Sequence, residues 1–311
     1  MAEEDQGLLW AVAVTYRRPA ILADTLGQVL AQTRPPDRLV IVDNDSSPDV
    51  RRLAERLGSH YVDTGDNVGP AGGLAAGLAV VLEHATDADW VVLVDDDDPP
   101  HDDGLLRRLH DFARRQHGAD VSVAGVGQVG ARYDRRRARV VRVTDAELDN
   151  EIIPVDYIGG GHFPMYRCAA LRDAGVPDPS LFFGFDDLEL GLRVIDRGYS
   201  LLVEGAEFFR SRSRAGRLGI DADMMKAPPT MPGWKRYYGV RNTVLVARGH
   251  GASRALLPIA TRSALGGVLA VLRHSGSLRD AVLPLRGAID GLRGRTGRRL
   301  PVATSTSKFD L

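Results

Sequence analysis

The residues best suited to chemistry in this chain are four consecutive aspartates, Asp95 to Asp98. They follow the apolar run Trp90 to Val94, which predicts a buried strand whose carboxyl end reaches the surface. Neighbouring carboxylates repel, so either their pKa values rise or a cation sits among them. Hard oxygen ligands suit Mg²⁺ or Mn²⁺. A solvated acidic turn with an N-capping Asp is the alternative, and the buried strand and the prolines that follow favour the cation.

A second acidic pair, Asp186 and Asp187, follows the aromatic run 181–185 at a predicted helix start. Apolar surroundings desolvate a carboxylate and raise its basicity toward the range of a general base. An N-capping role is the alternative, and the two roles can fall to different members of the pair. We expect Asp187 to begin the helix and to point into a crevice, while Asp186 satisfies backbone donors or an acceptor hydroxyl.

The elements that must position these carboxylates are predicted from the start of the chain. A buried strand over residues 8–14, a helix over 20–32 and a second strand over 38–42 predict a parallel sheet with right-handed crossovers. Ligands bind beyond the carboxyl ends of such strands. The polar clusters 15–18 and 43–47 and the acidic run therefore converge on one edge, although each alone also fits turn or cap chemistry.

Three further segments give weaker signals of ligand binding: two are rich in glycine, and the third combines aromatic and cationic residues. The segment 66–78 offers a helix N-terminus to anionic groups, but it is neither a Walker loop nor a Gly-x-Gly-x-x-Gly fingerprint, and close helix packing also explains it. Three glycines before His162 indicate either backbone close to a bound molecule or a flexible turn. Arg241 shares a predicted helix face with Tyr238 and Asn242, and that face either holds a diphosphate or packs the domain.

Composition sets the class of protein. The 311 residues carry a net charge of -1, which gives no support for nucleic-acid binding. The single cysteine, Cys168, excludes an internal disulfide and fits a reducing cytosol. No signal peptide is seen, and no uncharged apolar run of about 18 residues predicts a membrane span. We therefore expect a cytoplasmic protein with one α/β domain over residues 1–242 and a basic helical segment over 243–311.

The C-terminal segment is the basic part of the chain. Residues 251–311 hold ten Arg and Lys against three Asp, a local charge of +7. Arginines interrupt its apolar stretches in the manner of amphipathic helices. This pattern predicts either peripheral contact with the inner face of the cell membrane or a subunit interface in a homo-oligomer.

Ordered motifs give the chain a family resemblance from its first strand through Asn242. They are 14–19 (Val-Thr-Tyr-Arg-Arg-Pro), 42–44 (Val-Asp-Asn), 67–69 (Asn-Val-Gly), the acidic run, 185–187 with Arg193, and 237–238 with 241–242. The chain resembles family 2 glycosyltransferases of the GT-A fold, most of all the actinobacterial galactofuranosyl- and rhamnosyltransferases. The resemblance implies a Rossmann-like, mostly parallel sheet flanked by helices, with a C-terminal helical appendage.

The resemblance also assigns roles to particular residues. It implies a nucleotide site, a divalent metal (Mn²⁺ or Mg²⁺) on Asp95 and Asp97, and Asp187 as catalytic base beside Asp186. The implied nucleotide-sugar contacts are Thr15, Arg18, Asp43, Asn67, Gly69, Asp95, Asp96 and Arg241, with Asp96 also the alternative metal ligand. Relatives often add a metal-ligating His after the base-bearing helix, and none occurs between Glu204 and Arg214. Glu204, Glu207 or water would replace it, or Arg210 and Arg212 would neutralise phosphate.

The function that the resemblance implies is inverting transfer of a sugar, galactofuranose or rhamnose, from a nucleoside-diphosphate sugar. The acceptor hydroxyl would belong to a glycan, a lipid-linked molecule or a small molecule. Nucleotidyl transfer on a related fold and a non-catalytic nucleotide-sugar-binding scaffold are the alternatives, because acidic metal sites and capping aspartates occur in those classes too.

Overall fold

The structure is a computed structural model that describes residues 7–220, 231–274 and 278–301. Its strands are β1 Leu9–Thr15, β2 Arg38–Asp43, β3 His60–Asp63, β4 Trp90–Asp95, β5 Val123–Gly127, β6 Gly130–Asp134, β7 Arg139–Arg142, β8 Ile152–Val155, β9 Tyr157–Ile158, β10 Met165–Arg167 and β11 Ser200–Glu204. Its helices are α1 Pro19–Leu30, α2 Pro48–Leu57, α3 Gly69–His84, α4 Leu105–Ala119, α5 Cys168–Ala174, α6 Asp186–Asp196, α7 Gly205–Arg214, α8 Gly233–Gly249, α9 Leu256–His274 and α10 Leu278–Leu292.

The main sheet has eight strands in the order β3-β2-β1-β4-β10-β5-β11-β8. The pairs β3-β2, β2-β1, β1-β4 and β5-β11 are parallel, whereas β10 and β8 run antiparallel to their neighbours. The predicted α/β class with a mostly parallel sheet is confirmed, and the predicted strands lie within one or two residues of their positions. The arginine-rich hairpin β6-β7 forms a separate small sheet with β9.

Both faces of the central strands are buried. In β4, Val91 and Leu93 pack into one apolar cluster, while Trp90, Val92 and Val94 pack into the other. Helices cover a parallel sheet on both sides, so its strands are apolar throughout rather than alternating. Charged residues can then follow such a strand only at its end, which is where the acidic run lies.

Helix α3 lies very close to β1 because it is rich in glycine. A Cβ on Gly73 would lie 2.4 Å from Cγ1 of Val14, and one on Gly77 would lie 2.5 Å from Cγ1 of Val12. These two glycines therefore serve close packing, as the alternative interpretation of this segment held. The approach brings the amino end of α3 to the carboxyl edge of the sheet.

The C-terminal part consists of α8, α9 and α10 packed against one another. The predicted boundary between residues 242 and 243 lies inside α8, and the division into two parts remains a prediction. The helical stretch Ser253–Arg273 is long and apolar enough to cross a membrane, by length and composition alone. Its most apolar 18 residues have a mean hydropathy of 1.7, and 22% of them are buried. Arg254, Arg262 and Arg273 interrupt this stretch, so it is not an uncharged run of about 18 residues, and the expectation that no such run occurs is not contradicted.

Candidate active site

The ends of β1 and β4 bring the predicted polar clusters together. Val14 pairs with Asp95 in the sheet. The hydroxyl of Thr15 donates to Oδ2 of Asp96 at 2.7 Å. Nη1 of Arg18 donates to Oδ2 of Asp97 at 3.0 Å and lies 3.5 Å from Oδ1 of Asp96. Thr15 and Arg18, predicted as nucleotide contacts, therefore hold two of the four aspartates in place.

The acidic run is not a helix cap. Helix α4 begins at Leu105, with Gly104 at its N-cap and no side-chain cap. The pKa of Asp95 is raised to about 7, because the surrounding protein desolvates its carboxylate and because Asp97, Asp96 and Asp98 repel its charge. Burial likewise raises the pKa of Asp96 to about 6, against the stabilising contacts of Thr15 and Arg18. Asp95 accepts no hydrogen bond from the described residues, so its charge is the one left for an external cation.

A cavity of about 400 Å³, named here the Asp95 cavity, opens beside this carboxylate. Its walls combine the ends of β1 and β4, the amino end of α3 and a group of aromatic rings. The lining residues are Val14, Thr15, Tyr16, Asn44, Asn67, Gly69, Pro70, Leu74, Val94, Asp95, Asp96, Asp97, Phe182, Phe183 and Trp234. Six of the predicted nucleotide or metal residues thus line one cavity: Thr15, Asn67, Gly69, Asp95, Asp96 and Asp97.

Gly69 is fixed by its neighbours. Its φ is +74°, and a Cβ there would lie 2.0 Å from the carbonyl oxygen of Phe182. Its amide donates to Oδ1 of Asn67 at 2.9 Å, and its carbonyl accepts from the side chain of Asn44 at 3.2 Å. Only glycine fits this left-handed, crowded position. Asn44 lines the cavity as well, and it was not predicted as a site residue although it follows Asp43 in a quoted motif.

Asp43 does not face the cavity. Its side chain is fully buried. Its carboxylate accepts from the amides of Asp45 and Ser47 at 2.9 and 2.6 Å and from the hydroxyl of Tyr61 at 2.9 Å. With both oxygens committed, the Asp43 carboxylate shapes the loop that presents Asn44. The structure places this carboxylate in the loop rather than in the cavity wall, and the direct nucleotide contact of Asp43 remains a prediction.

Arg241 is a structural residue of the core. It is fully buried and lies outside the Asp95 cavity. Its guanidinium donates to Oδ1 of Asn242 at 2.9 Å and to the carbonyls of Gly297 and Leu181, both at 2.6 Å. These contacts give Arg241 the packing role of the alternative interpretation, and its diphosphate contact remains a prediction that the Asp95 cavity does not include.

The second acidic pair lies at the start of α6. The helix begins at Asp186, one residue earlier than expected, and its N-cap is Phe185 with a left-handed backbone and no side-chain cap. Oδ1 of Asp187 accepts from the amide of Leu188 at 2.7 Å. Asp186 is buried, whereas Asp187 lines a second cavity. Neither aspartate is the N-cap residue, but the Asp187 carboxylate satisfies one amide of the first turn, so the capping alternative holds in part for Asp187.

The second cavity, named here the Asp187 cavity, measures about 360 Å³. It lies between the small sheet, the glycine turn and α7. Its lining residues are Val129, Gly130, Ala131, Val140, Arg142, Tyr157, Gly159, His162, Asp187, Ser211, Arg212, Ala215 and Arg217. Burial raises the pKa of Asp187, and the charge of Asp95 raises it further. Burial also raises the pKa of Asp186, together with repulsion from Asp187.

A turn of three glycines separates the two cavities. A Cβ on Gly160 would lie 3.4 Å from both carboxylate oxygens of Asp95, and one on Gly159 would lie 3.8 Å from Oδ2 of Asp187. A Cβ on Gly161 would lie 2.6 Å from Oδ2 of Asp98. The glycines therefore let both carboxylates lie close to one turn, Asp95 at Gly160 and Asp187 at Gly159. Their triple repeat before His162 was the only sequence signal for this arrangement.

The side chains considered as substitutes for the missing histidine are committed elsewhere. Glu207 is 1% exposed and accepts from Arg108 at 2.9 Å, Arg210 at 2.7 Å and Gln128 at 3.2 Å. Arg212 donates to Asp145 and to the carbonyl of Val143, both at 2.6 Å. Within the described ranges, no three His, Cys, Asp or Glu side chains form a group that could hold a metal ion by themselves.

Comparison with known proteins places the chain in a family. The sequence profile described as Glycosyl transferase family 2 matches residues 10–175. Galactofuranosyltransferase GlfT1 of Mycobacterium tuberculosis (strain CDC 1551 / Oshkosh) is 33% identical over 263 residues, which cover 80% of this chain and 84% of that protein. The chain belongs to glycosyl transferase family 2. It is therefore a glycosyltransferase, as its motifs predicted.

Two further likenesses agree. Galactofuranosyltransferase GlfT1 of Mycolicibacterium smegmatis (strain ATCC 700084 / mc(2)155) is 35% identical over 199 residues, 60% of this chain and 65% of that protein. The crystal structure of S. aureus TarS 1-349 in complex with UDP-GlcNAc has a TM-score of 0.53 at 13% identity, covering 91% of this chain and 81% of that one. The latter likeness concerns the fold alone, and the predicted GT-A fold is confirmed.

The raised pKa of Asp187 leads to a prediction about stability. Its pKa of about 6 lies above the ordinary value of 3.8, so keeping the carboxylate ionised opposes folding above about pH 6. This cost disappears as the pH falls and the group takes up a proton. Asp187→Asn should therefore be more stable than the wild type by roughly 1–3 kcal/mol at pH 8, with a smaller difference at pH 5.

Urea unfolding at the two pH values measures this difference. Asp24→Asn, on the exposed side of α1, removes the same charge outside the site and serves as the control. If Asp187→Asn is less stable than the wild type at pH 8, the ionised Asp187 carboxylate stabilises the fold and the prediction is wrong.

Proposed function

We propose that this glycosyltransferase moves a sugar from a nucleoside-diphosphate sugar to an acceptor hydroxyl in one in-line displacement, with inversion at the anomeric carbon. The observation that carries the proposal is the meeting of two cavities at one glycine turn, with Asp95 on one side and Asp187 on the other. The galactofuranosyltransferase relatives support galactofuranose as the sugar, and rhamnose remains the second candidate.

The Asp95 cavity suits a nucleoside diphosphate. Tyr16, Phe183 and Trp234 give it apolar, aromatic walls against which a base can stack. The 16-residue helix α3 begins at Gly69 in the cavity wall and has no acidic residue in its first turn. The Gly69 amide is bonded to Asn67 and Pro70 has no amide, so the positive end of the helix dipole is what favours a phosphate group there.

The acidic run fits a divalent cation in its donor chemistry. Asp95 is the carboxylate without a donor among the described residues, and the repulsion that raises its pKa would be relieved by a bound cation. Asp97, already shared with Arg18, is the second ligand candidate. Mg²⁺ or Mn²⁺ held there would neutralise the negative charge of the leaving diphosphate.

Asp187 is the proposed general base on the acceptor side. It takes the proton of the acceptor hydroxyl while the hydroxyl oxygen bonds to the anomeric carbon and the bond from that carbon to the diphosphate oxygen breaks. A raised pKa brings the carboxylate closer to the operating pH, where a base is most effective. Asp186 is buried next to it in the chain, and repulsion from Asp187 raises the pKa of Asp186, whereas burial and the charge of Asp95 raise the pKa of Asp187.

Product analysis tests the reaction type. UDP-galactofuranose and dTDP-rhamnose are incubated with the protein and candidate sugar acceptors, and the released phosphates are separated. Sugar transfer to a hydroxyl releases nucleoside diphosphate. Release of pyrophosphate would identify nucleotidyl transfer instead, and binding without turnover would identify a scaffold.

The base assignment leads to a prediction for the acidic pair. Asp187→Asn keeps the size of the side chain but removes its basic site, so kcat should fall by roughly 10²-fold or more. Donor binding, measured by calorimetry, should stay within about threefold, because Asp187 lies outside the Asp95 cavity. Asp186→Asn is the matched comparison and should reduce kcat less. Near wild-type turnover by Asp187→Asn, or equal loss of donor binding and activity, would refute the assignment.

Metal dependence is the next prediction. EDTA should abolish turnover by the wild type, and added Mn²⁺ or Mg²⁺ should restore it. Asp97→Ala should abolish turnover while the protein remains folded, since the change removes a ligand at the cavity rim. Full activity in EDTA would contradict a metal at this site and would leave Arg18 as the charge facing the diphosphate.

The C-terminal helices support a second proposal, peripheral contact with an anionic membrane surface. Large apolar side chains stand exposed on two neighbouring helices, and exposed arginines accompany them. The apolar residues are Leu257, Leu265, Leu269 and Leu272 of α9 and Val282, Leu285 and Ile289 of α10. Exposed apolar area beside positive charge favours an anionic interface, while a subunit interface would use the same face.

Sedimentation with anionic phospholipid vesicles tests this contact. The wild type should sediment at low salt, and Leu265→Glu with Leu269→Glu should stay in solution because charge is placed in the apolar face. Absence of vesicle binding together with a dimer that the double variant dissociates would assign the face to a homo-oligomer.

A further inference from the structure

The residues after α10 return to the Asp95 cavity. This C-terminal strap, Gly294–Leu300, is fixed through its backbone. The amide of Gly297 donates to the carbonyl of Ser180 at 2.6 Å. The amides of Arg299 and Leu300 donate to the hydroxyl of the fully buried Tyr238 at 2.9 and 3.2 Å. The strap therefore lies against the segment that carries the aromatic wall.

Arg298 extends from the strap to two walls of the cavity. Its Nη1 lies 3.1 Å from Oδ1 of Asp66 and donates to the carbonyl of Asn67 at 3.4 Å. Its guanidinium lies 6.0 Å from the ring centroid of Phe182. Asn67 and Phe182 both line the Asp95 cavity. One side chain thus connects the loop before α3 with the aromatic wall opposite.

These contacts lie around Gly69, whose backbone has little conformational freedom. Gly69 fits against the carbonyl of Phe182 only in its left-handed conformation, and Asn67 holds its amide. Any separation of the loop from the wall would displace Gly69 and Pro70, the first residues of α3, which line the cavity. Buried Arg241 joins the carbonyl of Leu181, next to Phe182, to that of Gly297 in the strap. Arg241 therefore holds the strap against the segment that carries the aromatic wall.

We propose that the C-terminal strap is part of the donor site and that Arg298 is a positioning residue for nucleoside-diphosphate binding. This inference rests on the proposed function of the Asp95 cavity. An exposed ion pair to Asp66 contributes little by itself, so the effect comes from holding the Asn67 carbonyl and the Phe182 ring together. The helical appendage then contributes to donor affinity as well as to packing.

Calorimetry with UDP, and with dTDP as second probe, tests the inference on the full chain. Arg298→Ala should raise the Kd of the nucleotide by about three- to tenfold, as expected for the loss of one charged hydrogen bond and a ring contact. The donor KM should rise in parallel, whereas kcat and the acceptor KM should not change. Arg298→Lys keeps the charge and should recover part of the affinity.

Arg299→Ala is the matched control. It removes the same charge from the same strap, but the Arg299 side chain donates to Thr296 within the strap rather than to the cavity wall. Its nucleotide Kd should equal that of the wild type. A second variant, Tyr238→Phe, removes the hydroxyl that accepts from the strap and should weaken nucleotide binding without removing charge.

The remaining outcomes overturn the inference in distinguishable ways. Unchanged nucleotide affinity in Arg298→Ala would show that the strap does not support the site. Equal losses in Arg298→Ala and Arg299→Ala would reveal general attraction between positive charge and nucleotide. A wild type that binds neither UDP nor dTDP would refute the proposed function itself, and the inference with it.

Discussion

Repulsion among carboxylates where β4 leaves the core is the constraint on which the rest of this structure depends. Burial on both faces of the strand excludes charge from its length, so the aspartates gather at its end. Thr15 and Arg18 compensate Asp96 and Asp97. The pKa values of Asp95, Asp186 and Asp187 are all raised. These raised pKa values are the physical basis of the proposed cation site at Asp95 and of the proposed base at Asp187.

The backbone around the site also has strained conformations. Arg17, Phe182 and Phe185 have positive φ values of 59°, 62° and 68° although none is glycine. Each lies next to a functional element: the Arg18 contact, the aromatic wall and the start of α6. Such conformations cost of order 1–3 kcal/mol each and persist where the surrounding structure imposes them.

The architecture and the location of the site were predictable from the sequence, but the direction of several side chains was not. Buried-strand patterns and the polar residues after them are local signals, so the convergence of Thr15, Asp95 and Asp96 could be expected. Whether Asp43 or Arg241 faces a ligand depends on partners far along the chain. The contact of Asp43 with Tyr61 and the contact of Arg241 with Gly297 cannot be inferred from motif spacing. The contact of Arg298 with Asp66 spans 232 residues and carries no sequence signature.

A crystal structure of the protein with UDP and Mn²⁺ is the most direct test of the two-cavity account. We expect the nucleotide in the Asp95 cavity, with its diphosphate and the metal beside Asp95. The sugar side of the diphosphate should point toward the Gly159–Gly161 turn and Asp187. UDP bound in the Asp187 cavity, or diphosphate distant from Asp95, would contradict it, because donor and base would then no longer face each other across the glycine turn.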